Sequence, residues 1–496
     1  MEAVRKRFGA ADEQFFTWTQ IPTGILYAAI WLNGLGVFTA AAFGWDLAFT
    51  IIVTGAVVVF ASVLGGSWST TASDFVQLLL LMPVTIVAAV LALMHIGGVA
   101  NFVERVPQHF WHWGKVADSK LIVLWLIAML LQKFVSNNNL TDASRYLAVK
   151  DSRHARKAAM LGMICFIIGP IVWFIPPMVA RVTHPELSAA FPQLKNPQDA
   201  SYFAIAMATM PAGMVGLLLS GIFAATMSSM DSGLNRNAGF FIKNFYEVAF
   251  RPKASERELM IASVVSTLVM GAMVILAALW FASLSNLPIF NLMVNFGGWV
   301  ALPISIPLVL SIFVKRAPQW AGWTTVLVGL GASYLTNRLL NPDWAAPLVG
   351  HTLNKREADD WAQLAGILMD IVVGSGWFLL TAVFWRKRSA EEVARVDHFF
   401  REMHTPIDFA REEGAASDKL QARIMGRLCL IYGGFITLLA VIPNPPMGRL
   451  AFIFCGGLML GIGCALYRAS KGKRSCADAI DEGHGSTPPA PCHADA

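Results

Sequence analysis

Charged side chains are scarce in this sequence. Only 14% of the 496 residues are Asp, Glu, Lys or Arg, whereas 56% are hydrophobic, and soluble proteins usually carry about 25% charged residues. Apolar runs of ~20 residues, long enough to cross a ~30 Å hydrocarbon core, recur along the chain. Backbone N–H and C=O groups in lipid must bond within the chain, so we expect an all-α, polytopic membrane protein.

The signals of several other protein classes are missing too. The six cysteines form no CxxC pair and three lie in apolar runs, so we expect neither a disulfide framework nor a zinc site. The sequence has no GxSxG, Walker A, HExxH or dinucleotide-binding motif, so we do not expect an enzyme. The basic residues stand between apolar runs, where membrane topology explains them, and nucleic acid is not an expected partner.

The apolar runs predict about twelve transmembrane helices. The Lys and Arg residues number 28 in one set of alternating loops, which includes 66–73 and 386–427, and nine in the other. Because cytoplasmic loops are enriched in Lys and Arg, we expect both termini to be cytoplasmic. The predicted spans are 20–42, 46–65, 74–98, 120–140, 158–180, 203–230, 259–284, 288–314, 319–338, 361–385, 427–443 and 449–467.

The sixth span becomes polar toward its predicted inner end. Ala225, Ser228, Ser229 and Ser232 are three or four residues apart, so they form one small, polar stripe on a helix. Sodium is a hard cation that takes oxygen ligands, and hydroxyls and carbonyls can supply them. Small residues and serines also let helices pack closely in lipid. The spacing alone leaves both interpretations open.

Three motifs resemble those of the sodium/solute symporter family, in the family's order and over roughly residues 4 to 316. Residues 65–77 resemble the pattern GGxxAVxxTDxxQ at both glycines, Asp74 and Gln77, and residues 145–150 resemble RxLAAK. The sixth span resembles AAxxSSxxSxxN, and the matching residues are Ala224, Ala225, Ser228, Ser229, Ser232 and Asn235.

The resemblance implies a leucine-transporter-like bundle of two inverted five-helix repeats, with substrate and sodium bound near mid-membrane. Residues 1–316 would hold the third to tenth core helices, so this bundle would be incomplete at its N-terminus by about three spans. Residues 317–470 would add further transmembrane helices with a cytoplasmic loop at 386–427. Residues 471–496 would form a disordered cytoplasmic tail.

The resemblance also implies a sodium site. Ser228 and Ser229 would bind the ion by their side chains and Ala225 by its carbonyl, and Asp74 would lie near the cytoplasmic route for sodium release. An ordinary alternative exists for Asp74, because Ser73 and Asp74 open a predicted span and are typical N-cap residues. The two interpretations are compatible.

Two polar sets are candidates for binding the substrate. Gln132, Ser136 and Asn139 share one stripe of the span at 120–140, and Lys133 lies beside them. Polar groups inside a bilayer are expected to face the bundle interior. Lys133 could neutralise an anionic substrate, pair with Asp231 or extend to the interface.

The second polar set is a pair of asparagines in the span at 288–314. Asn291 and Asn295 are one helical turn apart, and members of the family use a polar residue near there for substrate. Amide bonding between helices is an equally good interpretation of this pair.

These observations predict sodium-coupled symport of a small organic solute across the cell membrane, inner or plasma. The expected partners are sodium, the solute and the lipid bilayer, with no cofactor besides the coupling ion. The alternatives are a membrane sensor or receptor domain, or an inactive, truncated transporter.

Overall fold

The protein was examined as a computed structural model. It describes residues 1–107, 120–141, 152–184, 186–284, 289–341, 344, 347, 352–353, 355–387, 389–405 and 418–471. The α-helices in these ranges are α1 Glu2–Phe8, α2 Ala10–Phe43, α3 Leu47–Ile96, α4 Val99–Arg105, α5 Lys120–Asn137, α6 Ser152–Thr183, α7 Leu187–Ala190, α8 Ser201–Thr209, α9 Ala212–Phe241, α10 Glu256–Ser283, α11 Ile289–Phe296, α12 Leu302–Phe313, α13 Ala321–Leu339, α14 Lys355–Thr381, α15 Ala390–His404, α16 Asp418–Leu438 and α17 Pro446–Ser470. The predicted tail at 471–496 lies, after its first residue, outside the described residues.

Short helices of other types connect some of these elements. Ile242–Phe250 and Gly297–Ala301 are π-helical, and Pro197–Ala200, Ala382–Lys387 and Leu439–Val441 are 3₁₀-helices. The two π-helical segments continue α9 and join α11 to α12. Such segments interrupt the regular hydrogen bonding of a helix and are frequent at functional sites.

Ten segments of the described residues are long and apolar enough to cross a membrane. They correspond to ten of the twelve predicted spans, so the expected polytopic all-α membrane protein is confirmed at this coarser level. The predicted spans at 120–140 and 319–338 are the helices α5 and α13. Neither is among the ten segments, because the fully described part of α5, Val123–Asn137, is shorter than a span and α13 does not reach the hydropathy that a span requires.

The segment between the second and third predicted spans differs from the expectation. Residues 66–73, predicted as a cytoplasmic loop, continue the helix, so that α3 contains both span segments, Leu47–Leu64 and Ser73–Ile96. Asp46, not Asp74, is the N-cap of α3, and its side chain accepts a hydrogen bond from the Phe49 N–H. The capping interpretation of Ser73 and Asp74 is therefore wrong, because both lie inside a helix whose N–H groups are already paired.

The predicted sixth span starts later than the sequence suggested. The chain leaves the helical conformation at Met210 and Pro211, and α9 begins at Ala212. Pro211 has no N–H to donate to a continuing helix, and the residue before a proline is driven from the helical region. Residues 203–209 consequently belong to the separate helix α8, and the candidate span is Gly213–Val248.

Helix α2 lies at the centre of the bundle and α6 lies at its margin. In the most apolar segment of α2, 61% of residues are buried, compared with 6% in that of α6. Large side chains on α6, such as Phe166 and Ile171, are exposed. An apolar face of this size is suited to lipid rather than water. The central position of α2 is shared by α3, α9 and α10, which pack against it.

Helices α12, α13 and α14 form a second packed group that contacts α5. Both groups are joined at one end of the molecule by α1. The buried guanidinium group of Arg7 donates hydrogen bonds to the carbonyls of Ser311 (3.2 Å) and Val314 (2.8 Å) at the end of α12. Burial lowers the pKa of Arg7 to about 10, so it remains a cation at neutral pH and complements the C-terminal carbonyls of that helix.

Helix α15 lies on the same end, against α1. It falls within the predicted loop at 386–427, whose residues 406–417 are outside the described part. Lys6 of α1 and Glu402 of α15 form an ion pair at 3.0 Å, and Lys315 and Asp397 form a second at 2.7 Å. This part of the predicted loop is thus a helix that is docked on the protein.

Candidate cation site between α3 and α9

Ala225 and Ser229 of α9 lie on the wall of one cavity. The cavity has a volume of about 320 Å³ and is also lined by Ile30 and Trp31 of α2, Leu81 of α3 and Met293 of α11. Position i and position i+4 of a helix face the same side, which is why one polar stripe of α9 reaches this space. The cavity therefore lies where four of the packed helices meet.

Two polar groups on this wall, which Thr226 also lines, are already close to each other. The Ser229 hydroxyl donates a hydrogen bond to the Ala225 carbonyl at 3.2 Å. The hydroxyl oxygen keeps its lone pairs, whereas the carbonyl also accepts the backbone bond of its helix, so a cation would bind the carbonyl in place of the hydroxyl hydrogen. A cation entering the cavity would meet two oxygens that the helix backbone has placed one turn apart.

Ser228 lies outside the cavity lining, and its role as a sodium ligand stays a prediction. It is absent from the residues that line the cavity and lies near the Asp74 carboxylate of α3. Asp231, which is 6% exposed, lies near enough to repel the same carboxylate. The structure thus brings Ala225 and Ser229 together in the cavity, and Ser228 and Asp74 together at the α3–α9 contact.

Helix α3 presents two buried acceptor oxygens at this contact. Oδ1 of Asp74 and Oε1 of Gln77 are buried without a hydrogen-bond partner in the described part of the protein. The Gln77 amide nitrogen donates to the Ser73 hydroxyl at 2.8 Å, which leaves its oxygen free to accept. Buried polar atoms are normally paired, and unpaired acceptor oxygens near a carboxylate are what a hard cation takes as ligands. These atoms fit sodium.

The residues predicted on α5 separate into two groups. Gln132 is 3% exposed and faces the bundle, and a Cβ added to Gly297 would lie 3.5 Å from its amide nitrogen and 3.6 Å from the Tyr27 hydroxyl. Lys133, by contrast, is exposed. The amide of Gln132 and the phenol of Tyr27 thus lie close to the π-helical backbone at Gly297.

Ser136 and Asn139 are engaged in local bonds at the C-terminal end of α5. The Ser136 hydroxyl donates to the Gln132 carbonyl at 2.8 Å, and the Asn139 amide donates to the Ser136 carbonyl at 2.8 Å. Asn139 also accepts hydrogen bonds from Thr141. Such bonds satisfy carbonyls that a helix end leaves unpaired, so a substrate role for these two residues stays a prediction.

The two asparagines of α11 also differ in their surroundings. Asn295 accepts a hydrogen bond from the Gln363 amide of α14 at 3.3 Å, which matches the interpretation of amide bonding between helices. Asn291 lies one turn earlier and is half-buried. A substrate role for either stays a prediction.

A family model decides which class of membrane protein this is. The model of the sodium:solute symporter family matches residues 2–329, about two thirds of the chain. The chain belongs to this family. The resemblance inferred from the three motifs is confirmed, and the family is one of transporters.

Individual relatives of this sodium:solute symporter are distant. The osmoregulated proline transporter OpuE of Bacillus subtilis is 26% identical over 307 residues, which cover 61% of the chain and 60% of OpuE. The mouse sodium/glucose cotransporter 4 is 24% identical over 396 residues, covering 72% of the chain and 56% of the cotransporter. The chain thus spans a little over half the length of the curated relatives it matches.

A solved structure supports the fold of this symporter. The substrate-bound, outward-open state of a Na⁺-coupled sialic acid symporter aligns with a TM-score of 0.56 and 20% sequence identity, covering 77% of this chain and 76% of that one. At this identity the likeness shows the fold alone.

Sequence reasoning missed three polar residues that the symporter places near these sites. Gln77 was noted only as a motif match, and Tyr27 and Gln363 were not singled out. Each is a polar residue within a membrane-crossing segment, which is itself a sign of an interior or functional position. That sign was present in the sequence for all three.

Proposed function

We propose that this protein carries out sodium-coupled symport of a small organic solute across the cell membrane. One observation supports it most: the Ala225 carbonyl and the Ser229 hydroxyl share the wall of a cavity of about 320 Å³ between four helices. Family membership supports the same activity. The cell membrane, inner or plasma, with both termini cytoplasmic, is the location we propose.

The proposed sodium site combines α9 with α3. Sodium binds the Ala225 carbonyl and the Ser229 hydroxyl, and it displaces the hydrogen bond that now joins them. Asp74, through its unpaired Oδ1, and Gln77, through its unpaired Oε1, attract the ion along the α3–α9 contact and form its route toward the cytoplasm. Ser228, which lies near the Asp74 carboxylate, is proposed as a further side-chain ligand of the ion.

The free energy released when one sodium ion moves down its gradient drives the uptake of the solute. A tenfold gradient is worth about 1.4 kcal/mol, and a membrane potential of 100 mV adds about 2.3 kcal/mol per charge. Sodium bound from outside stabilises the outward-open state, and solute binding then permits the change to the inward-open state. We propose that this change takes place in a leucine-transporter-like, inverted-repeat bundle of about twelve spans.

The solute site we propose lies beside Gly297, where α2 and α5 meet the π-helical segment that follows α11. Gln132 and Tyr27 line it, and Asn291 and Asn295 approach it from α11. These groups are neutral hydrogen-bond donors and acceptors, which favours a polar solute. Lys133, Ser136 and Asn139 lie further from this point, and their contribution is confined to the end of α5. Relatives that carry proline, glucose and sialic acid define the first solutes to test.

The test is uptake into vesicles that contain the protein. Proline, glucose and sialic acid are offered with an inward sodium gradient or with the same gradient of choline. We expect uptake of at least one solute to require sodium, and Ser229→Ala to weaken the sodium dependence about tenfold. Ser232→Ala is the matched control, because Ser232 is an exposed serine of the same helix that is absent from the cavity lining.

Two results would contradict the proposal. One is uptake that proceeds equally with choline. The other is a protein that binds sodium but moves none of the solutes in an extended panel of sugars, amino acids and carboxylates.

A further inference from the structure

Asp370 is a carboxylic acid in the middle of a membrane-crossing segment. The segment Glu357–Trp385 has Asp370 close to its centre, about 20 Å from either end at 1.5 Å per residue. Its side chain is 0% exposed. Neither the sequence motifs nor the proposed sodium and solute sites use this residue.

The Asp370 carboxyl group contacts a single hydroxyl on the neighbouring helix α13. The Ser333 oxygen lies 2.8 Å from Oδ1 and 2.7 Å from Oδ2. A serine hydroxyl has one hydrogen to donate, so with an ionised carboxylate it must share that hydrogen between both oxygens in a three-centre bond. A proton on the carboxyl group supplies a second hydrogen, since the acid then donates to the serine oxygen while the serine donates to the acid carbonyl.

The pair is buried inside the protein. Asp370 is 0% exposed and Ser333 is 4% exposed. Taking an ionised carboxylate out of water without a cation costs several kcal/mol, and one neutral hydroxyl offsets little of this. The neutral, protonated pair avoids that cost.

Charged and titratable groups on the helices packed against α14 do not reach the pair. On α13 these are Tyr334 and Arg338, and on α5 the described side chain is Lys133, all of them exposed. Helix α12 and the segment Gly297–Ala301 carry none. On α14 itself, Glu357, Asp359 and Asp360 lie ten or more residues from Asp370, about 15 Å along the helix.

We propose that Asp370 and Ser333 form a proton-binding site at mid-membrane, separate from the sodium site. The bound proton keeps the α13–α14 contact closed. Loss of the proton leaves a charge that needs water or a cation, and the two helices must separate to admit either one. The site is independent of the proposed symport, because none of its atoms belongs to the cavity between α2, α3, α9 and α11.

The deciding experiment is infrared spectroscopy of the purified, full-length chain at neutral pH. A protonated carboxylic acid has a carbonyl stretching band that a carboxylate lacks. We expect Asp370→Asn to remove one such band, because asparagine replaces the acid with an amide of the same shape. Asp359→Asn, an exposed position on the same helix, should leave this band unchanged. A spectrum of the Asp370→Asn protein identical to that of the wild type in this region would overturn the proposal.

A second measurement needs no variant and covers the case in which Asp370→Asn fails to fold. Dicyclohexylcarbodiimide enters membranes and adds to a protonated carboxyl group, and the adduct rearranges to a stable N-acylurea from which nothing is lost. Mass spectrometry of the peptides should find the added mass of the N-acylurea on Asp370 in the wild-type protein at pH 6. Labelling should be at least tenfold lower at pH 9. An unlabelled Asp370 at pH 6 would overturn the proposal.

Discussion

Two aspartates in membrane-crossing segments, Asp74 and Asp370, have opposite environments. Asp74 lies near Ser228 and has one buried oxygen without a partner among the described residues, and a second carboxylate, Asp231, lies nearby. Asp370 has both oxygens within hydrogen-bond distance of the Ser333 hydroxyl and is fully buried. The first environment has acceptor oxygens to spare, which suits a metal cation. The second offers one hydroxyl and no further oxygen, which suits a proton.

The difference shows that an intramembrane carboxylate cannot be interpreted from its residue type alone. A hard cation needs several oxygens around it, whereas a proton needs one donor and one acceptor. The number of acceptor oxygens near each carboxylate is therefore what distinguishes the two sites. The predictions below test whether the two aspartates respond differently.

The largest effect is expected on the free energy of unfolding, when the Ser333 hydroxyl that contacts Asp370 is removed. Ser333→Val leaves a buried acid without its hydrogen bonds, which should lower the free energy of unfolding by about 1–3 kcal/mol. Thermal unfolding in detergent measures this. Ser305→Val is the matched control, since the Ser305 hydroxyl bonds only the Ala301 carbonyl of the preceding turn. The double variant Asp370→Leu/Ser333→Ala should regain most of the loss, and a Ser333→Val protein as stable as Ser305→Val would show that the pair is unimportant.

A smaller effect is expected at Asp74, and it should appear in sodium dependence rather than stability. Asp74→Asn keeps an oxygen but removes the negative charge, so the sodium concentration for half-maximal uptake should rise about tenfold, or about 1.4 kcal/mol. Asp370→Asn should leave this concentration within about twofold, because its carboxyl group is neutral in our account. Equal shifts in the two variants would remove the distinction between the sites.

A substitution at Gln77 should also change the sodium dependence rather than the stability, but by less than Asp74→Asn does. Gln77→Leu removes a neutral oxygen that lacks a partner, so we expect the sodium requirement to rise about threefold, or about 0.6 kcal/mol. Stability should stay equal or improve, since an unpaired buried acceptor is lost. A loss of stability without any change in sodium dependence would mean that Gln77 serves packing only.

The smallest effect on stability is expected from removing an ion pair outside the membrane-crossing segments, that of Lys6 and Glu402. The hydrogen bond between Lys6 and Glu402 raises the pKa of Lys6 above 10.5 and lowers the pKa of Glu402 below 4.5. The contribution of the Glu402 carboxylate to folding stability is present above pH 4.5 and is lost as the pH falls through its lowered pKa. The contribution of Lys6 is present below pH 10.5 and is lost as the pH rises through its raised pKa. Lys6→Met should thus have a small effect on the melting temperature that is constant from pH 5 to pH 10 and decreases with added salt. An effect as large as that of Ser333→Val would contradict the comparison.

The sequence predicted the membrane class, ten of the candidate spans and the family, because apolar length and motif spacing are properties of the chain itself. It did not predict that 66–73 is helical, since glycines, serines and threonines are weak helix formers without forbidding a helix. Its prediction of Ser228 as a sodium ligand stays a prediction. It did not predict that Ser228 lies near Asp74 of α3, because spacing along α9 cannot say which helix lies opposite. Asp370 was overlooked within a predicted span, where a lone acidic residue was itself a signal of function.

The most direct test of the account is equilibrium binding of radioactive sodium to the purified protein, compared among the wild type, Ser229→Ala, Ser232→Ala and Asp370→Asn. We predict saturable sodium binding that weakens about tenfold in Ser229→Ala and remains within about twofold of the wild type in the other two variants. Wild-type protein without saturable sodium binding, or a Ser229→Ala protein that binds as well as Ser232→Ala, would contradict the proposed site.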